Sequence, residues 1–355
     1  MKKLILILGL VSLFSLSGKT QTKNVDIDSH SFSYAYRALP THPLNPIRFT
    51  YATRVTASGA VRMNVSVEDL NERINLQGQI RVYNPAQASM IVELIVGSLM
   101  VSSTEIYERK SETKDKQGNV TERFYYRIMV KYTFESSYKI TKDQKPLANG
   151  NFYSKYNTHT YTSAEFSTRQ AASEFWDNNR NALTSDFHQD LVLKSVASLN
   201  ELISNRYGFP AKFNSWDVLK IMDEKKHDEN ANFRAAVGAL KNELQAMTPD
   251  FPMDRDQVEP LIEYFENIPK RYADPNSKAD QHIRYAAYFN LCKIYYYLDE
   301  PENVAQYANR ITSNGYDAKD GAKLIKEANE LKGMFINTGI RTRHFSPDDY
   351  FGDGR

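Results

Sequence analysis

The stretch Phe124-Tyr-Tyr-Arg-Ile-Met-Val-Lys-Tyr-Thr-Phe134 decides the fold class of this chain. Every second residue in it is aromatic or aliphatic, and polar residues such as Arg127 and Lys131 stand between them. A period of two is typical of a β-strand with one buried face. The alternation continues through Tyr138 and Ile140, so we predict one long, half-buried strand over residues 124–140.

The neighbouring segments predict further strands of the same sheet. Residues 89–104 are apolar at both even and odd positions, which is typical of a central strand covered on both faces. The polar segment Lys114-Asp-Lys-Gln-Gly-Asn119 then predicts a turn, so the two long strands should form an antiparallel hairpin. A third long strand is expected over residues 151–161.

Shorter elements precede these strands. Strands are expected at residues 49–56, 61–67 and 79–83, with a short helix over residues 68–77. From Thr168 the period becomes helical, with apolar residues such as Val192 and Val196 at helical spacing, and Tyr207-Gly-Phe-Pro210 ends the helix. We therefore interpret residues 47–210 as one α+β domain, an antiparallel sheet packed by helices.

The remaining chain predicts a second domain and a tail. Residues 216–336 show only helical periods with short connections, which favours antiparallel helical hairpins in an all-α domain over residues 211–337. Residues 338–355 have no period and are expected to be a flexible tail. The alternative for this segment is a short recognition motif built on Phe345, Tyr350 and Phe351.

The first residues indicate export. Lys2 and Lys3 precede an apolar run over residues 4–16 and the small pair Ser17-Gly18, which is the pattern of a cleaved signal peptide, here residues 1–20. The run is shorter than a membrane span requires, so no transmembrane segment is expected after cleavage. The single cysteine, Cys292, lies far from this region, so we expect an exported protein, periplasmic or secreted, without a lipid anchor.

Residues 21–48 form a lead between the signal and the first domain. Pro40, Pro43 and Pro46 recur at every third position, and this spacing predicts an extended, polyproline-like segment.

Composition excludes several functions. One cysteine allows no intrachain disulfide, and its position on an apolar helical segment predicts a small buried core residue. The formal charge of +2 is dispersed, so nucleic acid is not an expected partner. The seven histidines are scattered, and phosphate-binding, nucleophile-elbow and zinc-binding motifs are absent from the sequence. We expect no cofactor, no metal and no catalytic residue.

Two regions resemble known families. Leu291, Cys292, Tyr295 and Leu298, followed by the small and apolar positions Ala305, Ala308 and Ile311, resemble a tetratricopeptide repeat. The resemblance implies a helical array that binds a peptide or protein in a concave groove.

The N-terminal domain is similar to small α+β domains of bacterial envelope-assembly lipoproteins, including the curli-assembly type. The likeness lies in Ile74-Asn-Leu-Gln-Gly78 and Ala88-Ser-Met-Ile-Val-Glu-Leu94, and it is a likeness of topology.

We therefore predict a non-enzymatic binding or scaffolding component of the bacterial cell envelope that binds an envelope protein or peptide through its helical domain. The candidate groove walls, for which core packing is the alternative, are Tyr285, Tyr288, Tyr295, Tyr296 and Tyr297. A glycan- or peptide-binding protein of a nutrient-uptake system is the second hypothesis. A hydrolase that uses carboxylate pairs such as Asp254/Asp256 or Glu263/Glu266 is the third.

Overall fold

A computed structural model describes residues 25–57 and 66–352. These residues form two compact units, each assembled from two separate stretches of sequence. The sheet unit holds residues 36–57, 66–212 and 336–352, and the helical unit holds residues 25–35 and 213–335. Sheets in the first unit and packed helices in the second confirm the α+β class. The signal peptide predicted over residues 1–20 lies outside the described residues.

The elements are numbered in chain order. The strands are β1 (Ile27–Arg37), β2 (Thr50–Ala57), β3 (Ile80–Arg81), β4 (Met90–Val96), β5 (Met100–Lys114), β6 (Val120–Thr133), β7 (Ser136–Lys142), β8 (Lys145–Tyr153), β9 (Thr158–Thr162) and β10 (Ala211–Met222). The helices are α1 (Val67–Arg73), α2 (Arg169–Tyr207), α3 (Asn230–Ala246), α4 (Arg255–Arg271), α5 (Lys278–Tyr297), α6 (Pro301–Ser313), α7 (Ala318–Thr338) and α8 (Pro347–Phe351).

Three long strand paths run through the sheet unit, and each contributes to two sheets. The paths are β4–β5, β6–β7 and β8–β9, and their members occupy sheets of order β3-β2-β4-β7-β8 and β5-β6-β9. The antiparallel pairing of β5 with β6 confirms the predicted hairpin. The prediction of three unbroken strands is wrong, because the paths are interrupted at residues 97–99, 134–135 and 154–157.

The five-stranded sheet is mixed rather than purely antiparallel. β2 pairs in parallel with both β3 and β4, whereas β4–β7 and β7–β8 are antiparallel. A parallel pair needs a crossover, and α1 lies in the connection between β2 and β4. The strand predicted over residues 61–67 falls largely outside the described residues, and Val67 begins α1.

Only one side of β4 is covered. Its even-numbered residues, from Met90 to Val96, are buried, but Ile95 on the other side is 38% exposed. The expectation of a strand covered on both faces is therefore wrong. β4 is a central strand because β2 and β7 pair with its two edges. Pairing at the edges does not determine whether the two faces of the strand are covered.

The covered side packs against the 39-residue helix α2. The Thr168 hydroxyl caps this helix by accepting a hydrogen bond from the backbone N–H of Ala171 at 3.1 Å. At 1.5 Å per residue the helix is about 58 Å long, so it contacts strands of both sheets. Its buried face confirms the predicted helical period, and it includes Leu191, Val192, Val196, Leu199 and Ile203.

The helical unit is built around α5. Residues on every side of α5 are buried, which is typical of a central helix, and α4 and α6 pack against it. The prediction of a domain that is helical from its start is wrong, because β10 pairs with β1 as a two-stranded sheet. Those two strands lie far apart in the sequence, so no local pattern connects them.

Both terminal segments contain ordered structure. The lead predicted to be extended over residues 21–48 contains β1, which is extended backbone and ends before the three prolines. The segment expected to be a flexible tail is packed into the sheet unit, where Phe345 is buried and its ring lies 5.5 Å from that of Phe209. Arg37 fixes this segment by donating hydrogen bonds to the carbonyls of Phe345 and Phe209, at 2.9 and 2.8 Å.

Among the helices within residues 25–57 and 66–352, none combines the length and the apolar composition needed to cross a membrane.

Candidate functional site

The five tyrosines predicted to line a groove mostly belong to the core. Tyr285, Tyr295 and Tyr297 are buried, and Tyr288 and Tyr296 are half-buried. The rings of Tyr295 and Tyr288 lie against the same residue, Tyr307 of α6, at 5.4 and 6.4 Å. These contacts are between neighbouring helices, so core packing, the alternative stated for this cluster, describes it.

Two of these tyrosines donate hydrogen bonds to carboxylates inside the helical unit. The Tyr297 hydroxyl donates to Asp217 of β10 at 2.7 Å, and the Tyr285 hydroxyl donates to Asp320 of α7 at 2.5 Å. Burial raises the pKa of both tyrosines, and the neighbouring carboxylate raises it further. Both hydroxyls are therefore protonated donors that join α5 to its neighbours.

Lys293 is the most unusual residue of this region. Its residue surface is only 5% exposed, and its ammonium group lies 2.8 Å from Asp217 and 3.8 Å from Glu327. The ammonium is also 5.5 Å from the centre of the Phe289 ring. A buried cation with two carboxylates and an aromatic face is fully paired, so its geometry is that of a structural network.

Cys292, Asp254 and Glu266, three further candidates from the sequence, have structural roles. Cys292 is buried, as predicted, and burial raises the pKa of its thiol, which disfavours the nucleophilic thiolate. Asp254 caps α4 by accepting from the Asp256 N–H, and Glu266 accepts from the Tyr307 hydroxyl. In the described residues no group of three or more His, Cys, Asp or Glu side chains could hold a metal ion.

A cleft of about 300 Å³ opens in the sheet unit where the strand paths break. We call it the hinge cleft, because its walls come from all three breaks, at Gly97, Glu135 and the segment 154–156. None of these residues was singled out by the sequence patterns.

The floor of the hinge cleft is a row of paired residues across three strands. Ile95 pairs with Ser137, and Ser137 pairs with Asn151. Their even-numbered neighbours on β4 and β7 are buried on the side facing α2, so this row points to the opposite, outward side. The floor therefore offers a hydroxyl and an amide beside one apolar side chain.

Gly97 and Glu135 form one end of the hinge cleft. The Gly97 N–H donates to the Glu135 carbonyl at 2.9 Å, and a Cβ at position 97 would lie 2.5 Å from the Glu135 Cγ. Glycine thus allows the Glu135 side chain to lie across the broken strand. In the described part of the chain the Glu135 carboxylate has no hydrogen-bond or ion-pair partner, so both oxygens can accept from a ligand.

Two tyrosines, Tyr153 and Tyr156, form the other end of the hinge cleft. Tyr153 is held in place, with its ring 5.6 Å from the Phe134 ring and 5.5 Å from that of His159. Tyr156 stands in the turn that follows β8 and is 83% exposed, with the Lys155 ammonium 5.5 Å from its ring centre. A large exposed aromatic side chain beside a polar cleft is typical of a contact surface.

The turn that carries Tyr156 was missed because its segment was predicted to lie within one strand over residues 151–161. The Tyr156 N–H donates to the Ser154 hydroxyl at 3.3 Å, and the Asn157 N–H donates to the Ser154 carbonyl at 2.9 Å. Serine and asparagine are turn-forming residues, so Ser154 and Asn157 were the sequence signal that could have predicted this turn.

No protein-family model and no curated protein matches this chain. The chemistry of the hinge cleft is therefore the basis for assigning a function.

Proposed function

We propose that this protein is a non-enzymatic binding protein of the bacterial cell envelope and that it binds a glycan in the hinge cleft. The observation that carries the proposal is the exposed Tyr156 ring beside the hydrogen-bonding groups of Glu135, Ser137 and Asn151. This combination corresponds to the second hypothesis from the sequence.

A sugar presents hydroxyl groups around its rim and C–H groups on its faces. Carboxylate and amide oxygens accept hydrogen bonds from hydroxyls, and amide and hydroxyl groups donate to them. An aromatic ring provides a flat apolar surface for a sugar face without a large entropy cost, because tyrosine has few rotatable bonds. Glu135, Asn151 and Tyr156 supply these three functions within one cleft.

The location in the envelope rests on the N-terminal pattern alone. Lys2, Lys3 and the apolar run over residues 4–16 support export, and an exported binding protein meets surface and extracellular polysaccharides.

The test is a glycan array followed by calorimetry with the best neutral oligosaccharide. We expect the Tyr156→Ala variant to bind that oligosaccharide about tenfold more weakly, a loss of about 1.4 kcal/mol.

The matched control is Tyr83→Ala. Tyr83 is also a tyrosine of the sheet unit, is 79% exposed and has one cation, Arg81, against its ring at 5.5 Å. It follows β3, at the opposite edge of the five-stranded sheet from β8. Equal losses in the two variants, or binding only to peptides, would refute the proposal.

A further inference from the structure

The outward side of β5 and β6 carries tyrosines and arginines in alternation. Tyr107 pairs with Arg127, and Arg109 pairs with Tyr125 on the next row. Each row therefore places one aromatic ring beside one guanidinium, and the order of the two reverses between rows. We call these four residues the Tyr/Arg face.

This face is open, whereas the other side of the same strands is covered by α2. Ile128 and Val130 point towards Ala172 and Trp176 and are buried. In contrast, Tyr107 is 56% exposed, and the side chains of Arg109 and Arg127 are nearly half exposed.

Contacts within the Tyr/Arg face hold its groups in place. Glu165 lies 2.9 Å from both Arg109 and Arg127, and the Arg109 guanidinium lies 5.2 Å from the centre of the Tyr125 ring. Arg109 donates two hydrogen bonds to Glu165, from Nε at 2.9 Å and from Nη2 at 3.2 Å. Arg127 is ion-paired with the same carboxylate through Nη2, and its side chain is 42% exposed, so a ligand can reach it.

Positive charge exceeds negative charge along this side. The outward positions of β5 and β6 carry four cations, Arg109, Arg123, Arg127 and Lys131. The described carboxylates on the same side are Glu105, the adjacent Glu165 and, at the break that follows β6, Glu135. An anionic ligand would therefore be attracted to this side, and a guanidinium can bind a carboxylate through two parallel hydrogen bonds.

The Tyr/Arg face and the hinge cleft lie on the same side of one strand path. The even positions of β6–β7, including Phe134 and Tyr138, are buried, so the odd positions from Arg127 through Lys131 and Glu135 to Ser137 share the outward side. The eleven residues from Arg127 to Ser137 extend over roughly 33 Å at the rise of a β-strand. One extended chain of several sugar residues could contact both surfaces.

We propose that the glycan is an acidic polysaccharide whose chain runs from the hinge cleft to the Tyr/Arg face. This inference rests on the proposed function, and it adds the charge of the glycan and the path that its chain follows on the protein. Arg127 binds carboxylates of the sugar acids, Arg109 adds positive charge while it stays paired with Glu165, and the Tyr107 and Tyr125 rings lie against sugar faces. Arginine clusters also bind acidic peptides, so an acidic peptide is the competing ligand that the test includes.

The test uses the whole mature protein with oligogalacturonate and with the same oligomer after its carboxyl groups have been reduced to alcohols. We expect the charged oligomer to bind more tightly, with an affinity that falls as salt is added. Arg127→Gln and Tyr107→Ala should each weaken binding of the charged oligomer about tenfold, as expected for loss of one charge-assisted contact or one ring.

The arginine control is Arg180→Gln. Arg180 is exposed and lies on α2, which covers the inward side of the sheet. This variant should bind like the unaltered protein. Arg127→Lys keeps the charge but loses the paired hydrogen bonds, so it should recover only part of the affinity.

The outcomes separate this inference from the proposed function. If both oligomers bind equally and only Tyr156→Ala weakens them, the hinge cleft binds glycans and the inference is wrong. If Arg127→Gln has an effect but Tyr156→Ala has none, the proposed function fails and the inference fails with it. Equal binding of polyglutamate or single-stranded DNA would also overturn the inference.

Discussion

Lys293 and Asp217 show how a single charge is accommodated in the core of the helical unit. Tertiary structure buries Lys293, and Asp217 is its nearest carboxylate at 2.8 Å. Asp217 also accepts the hydroxyl hydrogen of Tyr297. One carboxylate thus satisfies two buried donors, and its loss would leave a buried ammonium without its closest partner.

At the residue scale we predict that Asp217→Ala lowers the free energy of unfolding by about 3–5 kcal/mol, because it leaves a buried cation uncompensated. Urea unfolding followed by circular dichroism measures the change. The control is Lys323→Ala, which removes an exposed partner of Glu327 in the same network and should cost at most about 0.5 kcal/mol. A loss below about 1 kcal/mol for Asp217→Ala would show that the network is solvated.

The breaks in the strand paths are the decisive feature at the scale of elements. Each path turns one side towards α2, yet its two halves belong to different sheets. The register shift between Val101 and Ser103 in the β5–β6 hairpin adds a bulge near the first break. The hinge cleft exists because the three breaks lie next to one another.

Gly97 provides a test at this scale. We predict that Gly97→Ala destabilises the protein by about 1–3 kcal/mol and weakens glycan binding, because the new Cβ would overlap the Glu135 Cγ. The double variant Gly97→Ala/Glu135→Ala should recover most of the stability but not the binding.

The comparison for Gly97 is Gly238→Ala in α3. A Cβ at Gly238 would meet nothing within 4 Å, and alanine favours a helix interior, so this variant should gain about 0.5–1 kcal/mol. Urea unfolding measures the change in the free energy of unfolding for each variant. If the changes caused by Gly97→Ala and Glu135→Ala simply add in the double variant, the proposed overlap is contradicted.

At the scale of the whole molecule, the chain leaves and re-enters each unit. The helical unit takes its first strand from residues before 36, and the sheet unit takes its last segment from residues after 335. A single cut between the units near residue 210 would therefore not release two complete fragments, and Phe209 and Pro210 are themselves buried.

The C-terminal segment provides the test at this scale. We predict that Phe345→Ala lowers the free energy of unfolding of the sheet unit by about 3–5 kcal/mol, because Phe345 is buried against Phe209. The exposed Tyr350→Ala should cost less. Hydrogen exchange should report faster exchange in residues 36–48 and 205–212 of the Phe345 variant, and unchanged exchange there would contradict the packing.

The sequence by itself determined the elements with strong periodicity. The inward side of β6–β7, the helix α2, the β5–β6 hairpin and the burial of Cys292 all follow from residues close together in the chain. Periodicity is a local property, since it reflects the geometry of a strand or helix repeated over neighbouring residues.

Tertiary structure alone decided the rest. The pairing of β1 with β10, the packing of Phe345, the burial of Tyr285 and Tyr297, and the meeting of three strand breaks at the hinge cleft all join residues far apart in sequence. Residue type identified tyrosines that could line a groove, but burial depends on which neighbouring elements pack against them. Contacts of this kind leave no local pattern, and so the candidate site emerged from the fold.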